Sequence, residues 1–399
     1  MITSEQNERW TRIGAGTPCG ELMRRYWQPL CPSGELTAER PKKRLRVMGE
    51  NLVVFRDASG EYGCVEEFCK HRGVSLYYGY AEDDGIRCCY HGWKYDRTGR
   101  CIDMPFEPKT SPMKNEIRLK AYPVEKLGGL LFAYMGPDPA KAPLLPRWDV
   151  LAREDGGREV KMFPTHRCNW LQIQENTADS THTYFLHGLM DVALKLNHPF
   201  APYYRRPIEK LDFSYCEWGI DKAIHYGGDV PEVEIRPPMI FPNILRIPNG
   251  PVEVMHWRVP IDDANTRIVF AAFEPDRAGK GVRSPADGDA PYEYVPDMLT
   301  KDGEYDLKSF FSQDQMALET QGAIYDRTGE HLGLSDRGIV LFRKMLDEQI
   351  DRVARGEEPD VAVVRDPAKN RVIEFPGASS PVDGLKRIRE VRQASGGGR

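Results

Sequence analysis

The chain has 399 residues, 40% of them hydrophobic and 29% charged, a composition that excludes pervasive disorder and a length that suits two domains. A formal net charge of −5 gives no global basic field, which argues against nucleic acid or an anionic membrane surface as partner. The start, MITSEQNERW, lacks a basic head and an apolar core of secretory length, and nine cysteines make an odd count that suits no disulfide framework; the reading is a cytoplasmic protein with no membrane and no nucleic-acid partner.

Residues 1–35 carry helix signals, with Glu21, Leu22 and Met23 followed by RRYWQPL, where Pro29 stops the run. From about 43 to 136 the texture changes to short alternating segments: RLRVMG, NLVVFRD, YGCVEEF, GIRCCYHG, WKYDRTGRCIDM and GGLLFAYMG. Gly, Asp, Asn and Pro separate them, which predicts a small antiparallel β domain. GPDPAKAPLLPRW then marks a Pro-rich boundary. Beyond 150, strands in EVKMFPTHR, MIFPNILRI, EVMHWRVPI and TRIVFAAFEP mix with helices near 168–188, 305–327 and 336–355, an α+β pattern. Segments 275–292 and 355–372 predict loops, and the terminal QASGGGR a disordered tail.

Two short arms of the β region hold Cys69-x-His71 and Cys88-x-x-His91. Four soft or borderline ligands at this spacing suggest a metal site. Tetrahedral zinc is one reading, though zinc fingers group Cys with Cys and His with His. Mixed arms suit a two-iron cluster, with Cys69 and Cys88 on one iron and His71 and His91 on the other; imidazoles in place of thiolates raise its potential. Cys88 and Cys89 pose a register question. In an extended strand Cys89 would share a face with His91 and repeat the Cys-x-His spacing.

A second constellation lies in NWLQIQENTADSTHTYFLHG. On a helix Glu175, Asp179 and His182 share one face, and His187 joins His182 at one metal only if the helix bends, bulges or ends there. Two imidazoles and one carboxylate with open positions make the facial triad of Fe(II) enzymes that activate O2. The carboxylate must come from elsewhere, and FFSQDQMALETQG offers Asp314 and Glu319, which spacing does not separate.

CKHRG followed by CCYHGWKYD and TGRC resembles the Rieske signature of non-haem iron aromatic oxygenases, and D-x-x-H-x-x-x-x-H resembles their iron segment. GTPCGELMRRYWQPL, CNWLQ and AIYDRTGEHLGLSDRGIVLFRKML look like the phthalate dioxygenase-type α subunits, which act without a β subunit. The resemblance implies an α+β fold: an N-terminal helical segment, 1–42, packed on the catalytic domain; an antiparallel β Rieske domain, 43–148; and a catalytic iron domain, 149–399, whose antiparallel sheet is flanked by helices in the helix-grip, START-like manner.

It also implies Cys88, not Cys89, as cluster ligand, and His182, His187 and Asp314 as ligands of a mononuclear Fe(II). Asp179 is then the bridge that carries electrons from His91 of one chain to His182 of its neighbour in a homotrimer or a dimer of trimers. The resemblance also implies that electrons come from a separate flavin and [2Fe–2S] reductase fed by NAD(P)H, and the lack of a Gly-rich dinucleotide fingerprint agrees with an external donor. Lys70 and Asn176 depart from residues common in the family, proline and glycine.

The expected reaction is O2-dependent hydroxylation of a small aromatic, carboxylated substrate, by ring dihydroxylation or by O- or N-dealkylation. Tyr184, Phe185, Leu186, Met190, Phe241 and Trp257 are apolar pocket candidates, with core packing as their alternative. Arg205, Arg206 and Arg246 are candidates for fixing a carboxylate, with solvated charge as theirs. Competing readings are a Rieske electron carrier without oxygenase activity and a zinc-stabilised binding protein.

Overall fold

A computed structural model describes residues 2–228, 231–249 and 251–375; the QASGGGR tail lies outside the described residues. Among the described residues no helix is long and apolar enough to cross a membrane. Three small antiparallel sheets and one eight-stranded sheet make up the β structure described.

The first of the small sheets corrects the expectation of a helical 1–42. In the described part of this segment α-helices cover Ser4–Thr11 and Pro18–Met23 and a 3-10 turn covers Ser33–Glu35, but Gln28–Pro32 is a strand paired with Leu130–Ala133. The helix therefore ends well before Pro29, which sits in that strand beside a bulge, where a residue without an N–H is tolerated. The first helix packs against residues of the later chain. Trp10 Nε1 donates to Asp347 at 2.8 Å, and Trp170 Nε1 donates to the Trp10 carbonyl at 3.2 Å.

Two four-stranded sheets carry the Cys/His arms. One runs Lys42–Val47, Glu50–Arg56, Tyr62–Glu66 and Ala121–Tyr122; the other runs Tyr80–Glu82, Gly85–Arg87, Lys94–Tyr95 and Cys101–Asp103. They enclose a core of their own that includes Val53, Phe55, Val65, Leu76, Ile86, Trp93 and Tyr95.

The large sheet orders its strands Ile208–Cys216, Gly219–Tyr226, Glu232–Ile240, Ile244–Asn249, Val252–Asp262, Asn265–Pro275, Gly156–His166 and Tyr292–Tyr294. It is antiparallel except for the last pair. MIFPNILRI is two strands, not one, because the chain reverses at 241–243. The first two strands of the sheet were not foreseen: one outer edge carries solvated polar residues, which blur the alternation in IEKLDFSYC. Alternation sends Met255, Trp257 and Val259 into the main core, where Phe241 and the helix Arg337–Ala354 also pack. A Cβ at Gly338 would stand 2.5 Å from the Phe213 ring, so that helix meets the sheet closely only with glycine there.

The opposite face of the sheet is overlaid by the helices Trp170–Asn176 and Phe310–Glu319 and by the segment around His182. The single helix expected over 168–188 is broken. An α-helix covers Trp170–Asn176, residues 177–181 are not helical, and Thr183–Leu189 is a π-helix. Glu175, Asp179 and His182 therefore share no continuous helical face.

Candidate metal centres and cavity

The two Cys/His arms have one design. Cys69 N–H donates to the Val74 carbonyl at 3.0 Å and Cys88 N–H to the Trp93 carbonyl at 2.8 Å. Gly73 N–H returns to the Cys69 carbonyl at 2.9 Å and Gly92 N–H to the Cys88 carbonyl at 3.1 Å. Both glycines hold positive φ, +72° and +75°, which a side chain would strain. This equivalence pairs Cys88, not Cys89, with Cys69. The burial agrees: Cys69 and Cys88 are buried, whereas Cys89 faces solvent.

The imidazoles sit farther out. His71 and His91 have ring centroids 4.5 Å apart, and His71 stacks on Trp93 at 4.5 Å. Tyr95 Oη lies 3.2 Å from Cys69 Sγ, where it can hydrogen-bond a thiolate. Buried sulfurs behind an exposed His71 and a half-buried His91 are a donor set that fits a two-iron cluster with one sulfur-bound and one nitrogen-bound iron.

The second centre gathers His182, His187 and Asp314, one ligand atom from each lying within 4.8 Å of the others. A π-helix bonds residue i to i+5, so its wider turn brings His187 back over His182; of the bend, bulge or end that the five-residue spacing allowed, the structure has the bulge. His187 Nε2 and His182 Nε2 stand 3.4 and 3.7 Å from Asp314 Oδ1. Their far nitrogens are held from behind. His187 Nδ1 lies 2.9 Å from Gln313 Oε1, and His182 Nδ1 lies 3.3 Å from Asp179 Oδ2. Both Nε2 lone pairs are thereby free to converge, which fits a bound divalent metal.

Burial pushes the Asp314 carboxyl up, but His187, His182 and Asn176 around it bring it below its ordinary range. Asn176 Nδ2 is 3.5 Å from both Asp314 Oδ1 and His182 Nε2, which puts this departure from the family pattern at the centre itself.

Geometry also separates the carboxylates that spacing left open. Glu319 accepts from Arg167, Gln315 and Tyr305, and Glu175 is clamped between Arg327 and Arg343. Neither reaches the histidines. Asp179 Oδ1 accepts the Thr181 N–H at 2.8 Å and Thr181 Oγ1 at 2.7 Å, so one carboxylate opens the π-helical segment and orients His182.

A cavity of about 370 Å³ adjoins this centre, with His182, His187 and Asp314 in its lining. The predicted substrate residues do not line it. Arg246 is on the wrong side of its strand: Leu245 and Ile247 face the cavity, whereas Arg246 turns to Asp149 at 2.8 Å and to Glu253. Trp257 alternates with His256 and Arg258 in the same way, and Phe241 packs in the main core. Arg206 is buried between Glu232 and Glu234 and over the Tyr226 ring, and Arg205 lies 3.7 Å from Asp191. Phe185 is 68% exposed, and Tyr184, Leu186 and Met190, half-buried, are not among the residues lining the cavity.

Sequence reasoning missed the cavity's own polar groups: Lys222, Arg236, His166, His256 and Arg258 on the sheet, and His198 after the π-helix. A signal existed, since a His or Arg at alternate positions of apolar strands, as in EVMHWRVPI, implies a polar cavity on one face. Burial pushes Lys222 down to about 7, with Arg236 adding to it, and Arg258 down to about 9.

The model of the Rieske [2Fe-2S] domain matches residues 26–123, a span that includes the strand Gln28–Pro32. The 5,5'-dehydrodivanillate O-demethylase oxygenase subunit of Sphingobium sp. (strain NBRC 103272 / SYK-6) is 38% identical over 94% of this chain and 87% of its own length. The phthalate 4,5-dioxygenase oxygenase subunit of Pseudomonas putida is 31% identical over 90% and 88%. Among solved structures, the oxygenase and ferredoxin complex of carbazole 1,9a-dioxygenase shares the fold with a TM-score of 0.59 and 20% identity, covering 94% of this chain and 100% of that one. Similarity of this extent to oxygenase subunits, over both the cluster arms and the iron segment, makes this chain a member of the Rieske non-haem iron oxygenases, the terminal oxygenase components of aromatic dioxygenase and demethylase systems.

Proposed function

We propose that Cys69 and Cys88 hold one iron of the [2Fe–2S] cluster, His71 and His91 the other, and His182, His187 and Asp314 the mononuclear iron. The observation that carries this reading is the convergence of two Nε2 atoms and one carboxylate oxygen within 4.8 Å, at the edge of the cavity. Bound there, the cluster supplies electrons one at a time and the iron, with positions left open, supplies O2 activation. The chain's own part is placement. Gln313 and Asp179 keep the imidazoles in the tautomer that presents Nε2, and Ile173, Phe270, Phe310 and Phe311 give the cavity apolar walls that exclude water from an aromatic ring.

The substrate on this reading is an aromatic acid, oxidised by ring dihydroxylation or by O- or N-dealkylation. Support comes from the relatives, whose names specify phthalate and dehydrodivanillate. Electrons come from a separate reductase carrying flavin and a [2Fe–2S] centre and fed by NAD(P)H; the ferredoxin seated on the carbazole oxygenase supports a detachable donor. The place of work is the cytoplasm, where the seven cysteines other than Cys69 and Cys88 stay reduced.

Asp179 is the bridge between chains. Large apolar side chains stand exposed at two places, Phe68, Tyr78, Tyr90 and Phe106 near the cluster arms and Phe185, Leu189, Val192 and Leu194 along the iron segment. Joined head to tail, one patch on the next chain's other patch, they close a ring of three, with two rings able to stack. His91 of one chain would then approach Asp179 of its neighbour.

A screen of aromatic acids for NADH and O2 consumption with a phthalate-type reductase, followed by product identification, tests the reading. Coupled uptake with an oxygenated or demethylated product is expected. Uptake without product from every acid would contradict it.

A further inference from the structure

Among the described residues lining the cavity there are three lysine or arginine cations, and two of them are already partnered. Arg236 is ion-paired with Glu234, Nε to Oε1 at 2.7 Å, and its Nη2 donates to Tyr203 Oη at 3.0 Å, while Lys222 Nζ donates to the Thr177 carbonyl at 2.7 Å. Arg258 differs. It is 3% exposed, and its Nε and Nη1 are buried without a hydrogen-bond partner. Two residues back on the same face of the strand, His256 is 4% exposed and its Nε2 is equally unpartnered.

Such groups are costly to leave dry. A buried guanidinium without an anion loses its hydration and regains nothing, which is why burial pushes Arg258 down to about 9. Among the described residues no carboxylate of the lining pairs with it directly: Asp179 is committed to His182 and Thr181, and Asp314, whose charge offsets only part of the burial from a distance, faces His182 and His187. The packing around this pole is apolar and aromatic. Ile268 is the cross-strand partner of Arg258, and Phe270 and Phe311 lie 4.7 and 5.7 Å from the His256 ring.

We infer that Arg258, with His256 as a second donor, anchors a carboxylate of the substrate on the sheet wall of the cavity. This rests on reading the cavity as the site of oxygenation, and it names the specificity group of that site. A planar fork meeting a carboxylate fixes both distance and plane, so the ring lies among Ile268, Phe270 and Phe311, and the position presented to the iron ligands is set by its distance from the acid group. Arg205, Arg206 and Arg246 take no part.

Calorimetric titration of the anaerobic holoprotein with a panel of mono- and biaryl acids, each paired with its primary amide, tests this. The unmutated protein is expected to bind at least one acid about tenfold or more tighter than its amide, the scale of a charge-assisted bidentate pair. Arg258→Gln should bind acid and amide alike, while Arg258→Lys should keep part of the preference. Cluster colour and iron content of each variant report folding. The proposal is overturned if no acid in the panel outbinds its amide in the unmutated protein, or if a folded Arg258→Gln keeps the full preference. Iron content and the EPR spectrum of the same unmutated sample report on the oxygenase reading separately.

Discussion

Gln313 places Oε1 2.9 Å from Nδ1 of His187, while its own Nε2 donates to the Leu307 carbonyl at 2.9 Å. The amide is thus oriented by the backbone, and it in turn fixes which imidazole nitrogen carries the proton. Gln313→Leu keeps the volume and removes that acceptor. Mononuclear iron affinity should fall about 10- to 100-fold, the usual cost of losing such a support. Competition with an Fe(II) chelator measures it, and the cluster absorbance should not change.

The equivalence of the two cluster arms gives a sharp contrast between neighbours. Cys88→Ser should abolish the red-brown colour and the EPR signal of the reduced cluster, whereas Cys89→Ser, changed at the exposed residue, should keep both. One visible spectrum of each variant decides.

Asp179→Asn retains the shape of the turn that opens the π-helix and removes the charge. Both metal contents should stay near those of the parent. Steady-state turnover should fall by orders of magnitude, with the reduced cluster failing to reoxidise in single-turnover mixing. Parent-like reoxidation would remove the bridge role.

Arg246 is a structural residue, not a substrate residue. Its guanidinium is buried against Asp149 and Glu253. Arg246→Gln leaves those carboxylates unpaired, so unfolding stability should drop by about 3 kcal/mol, the scale for breaking a buried ion pair. KM for an aromatic acid and KM for its amide should each stay at the parent's value, as initial rates would show, while thermal unfolding reports the loss of stability.

The metal centres were legible because their ligands lie close in sequence. Cys69-x-His71, Cys88-x-x-His91 and His182-x-x-x-x-His187 are local patterns, and the five-residue step ruled out a straight α-helix without choosing among a bend, a bulge and an end. With membership of the oxygenase family, the electron-carrier and zinc readings fall away. Asp314 and Glu319 could not be separated by spacing, because only the tertiary fold shows Glu319 taken up by Arg167 and Tyr305.

The substrate cavity was not legible. It is assembled from six strands distant in sequence, and which side of each strand faces it depends on register, which flips with a shift of one residue. Arg246 and Trp257 were placed one residue out of phase in that sense, while Leu245, His256 and Arg258 were the residues facing inward. The N-terminal strand Gln28–Pro32 escaped for a similar reason, since its partner Leu130–Ala133 lies about a hundred residues away.

The central claim is that His182, His187 and Asp314 hold an iron separate from the cluster. Iron analysis of the reconstituted protein beside its Asp314→Ala and Glu319→Ala variants tests it most directly. The parent should hold about three irons per chain, two in the cluster and one outside it. Asp314→Ala should lose the single iron and keep the cluster signal, and Glu319→Ala should keep all. An Asp314→Ala protein with parent-level iron, or loss of the single iron on changing Glu319 alone, would contradict the assignment.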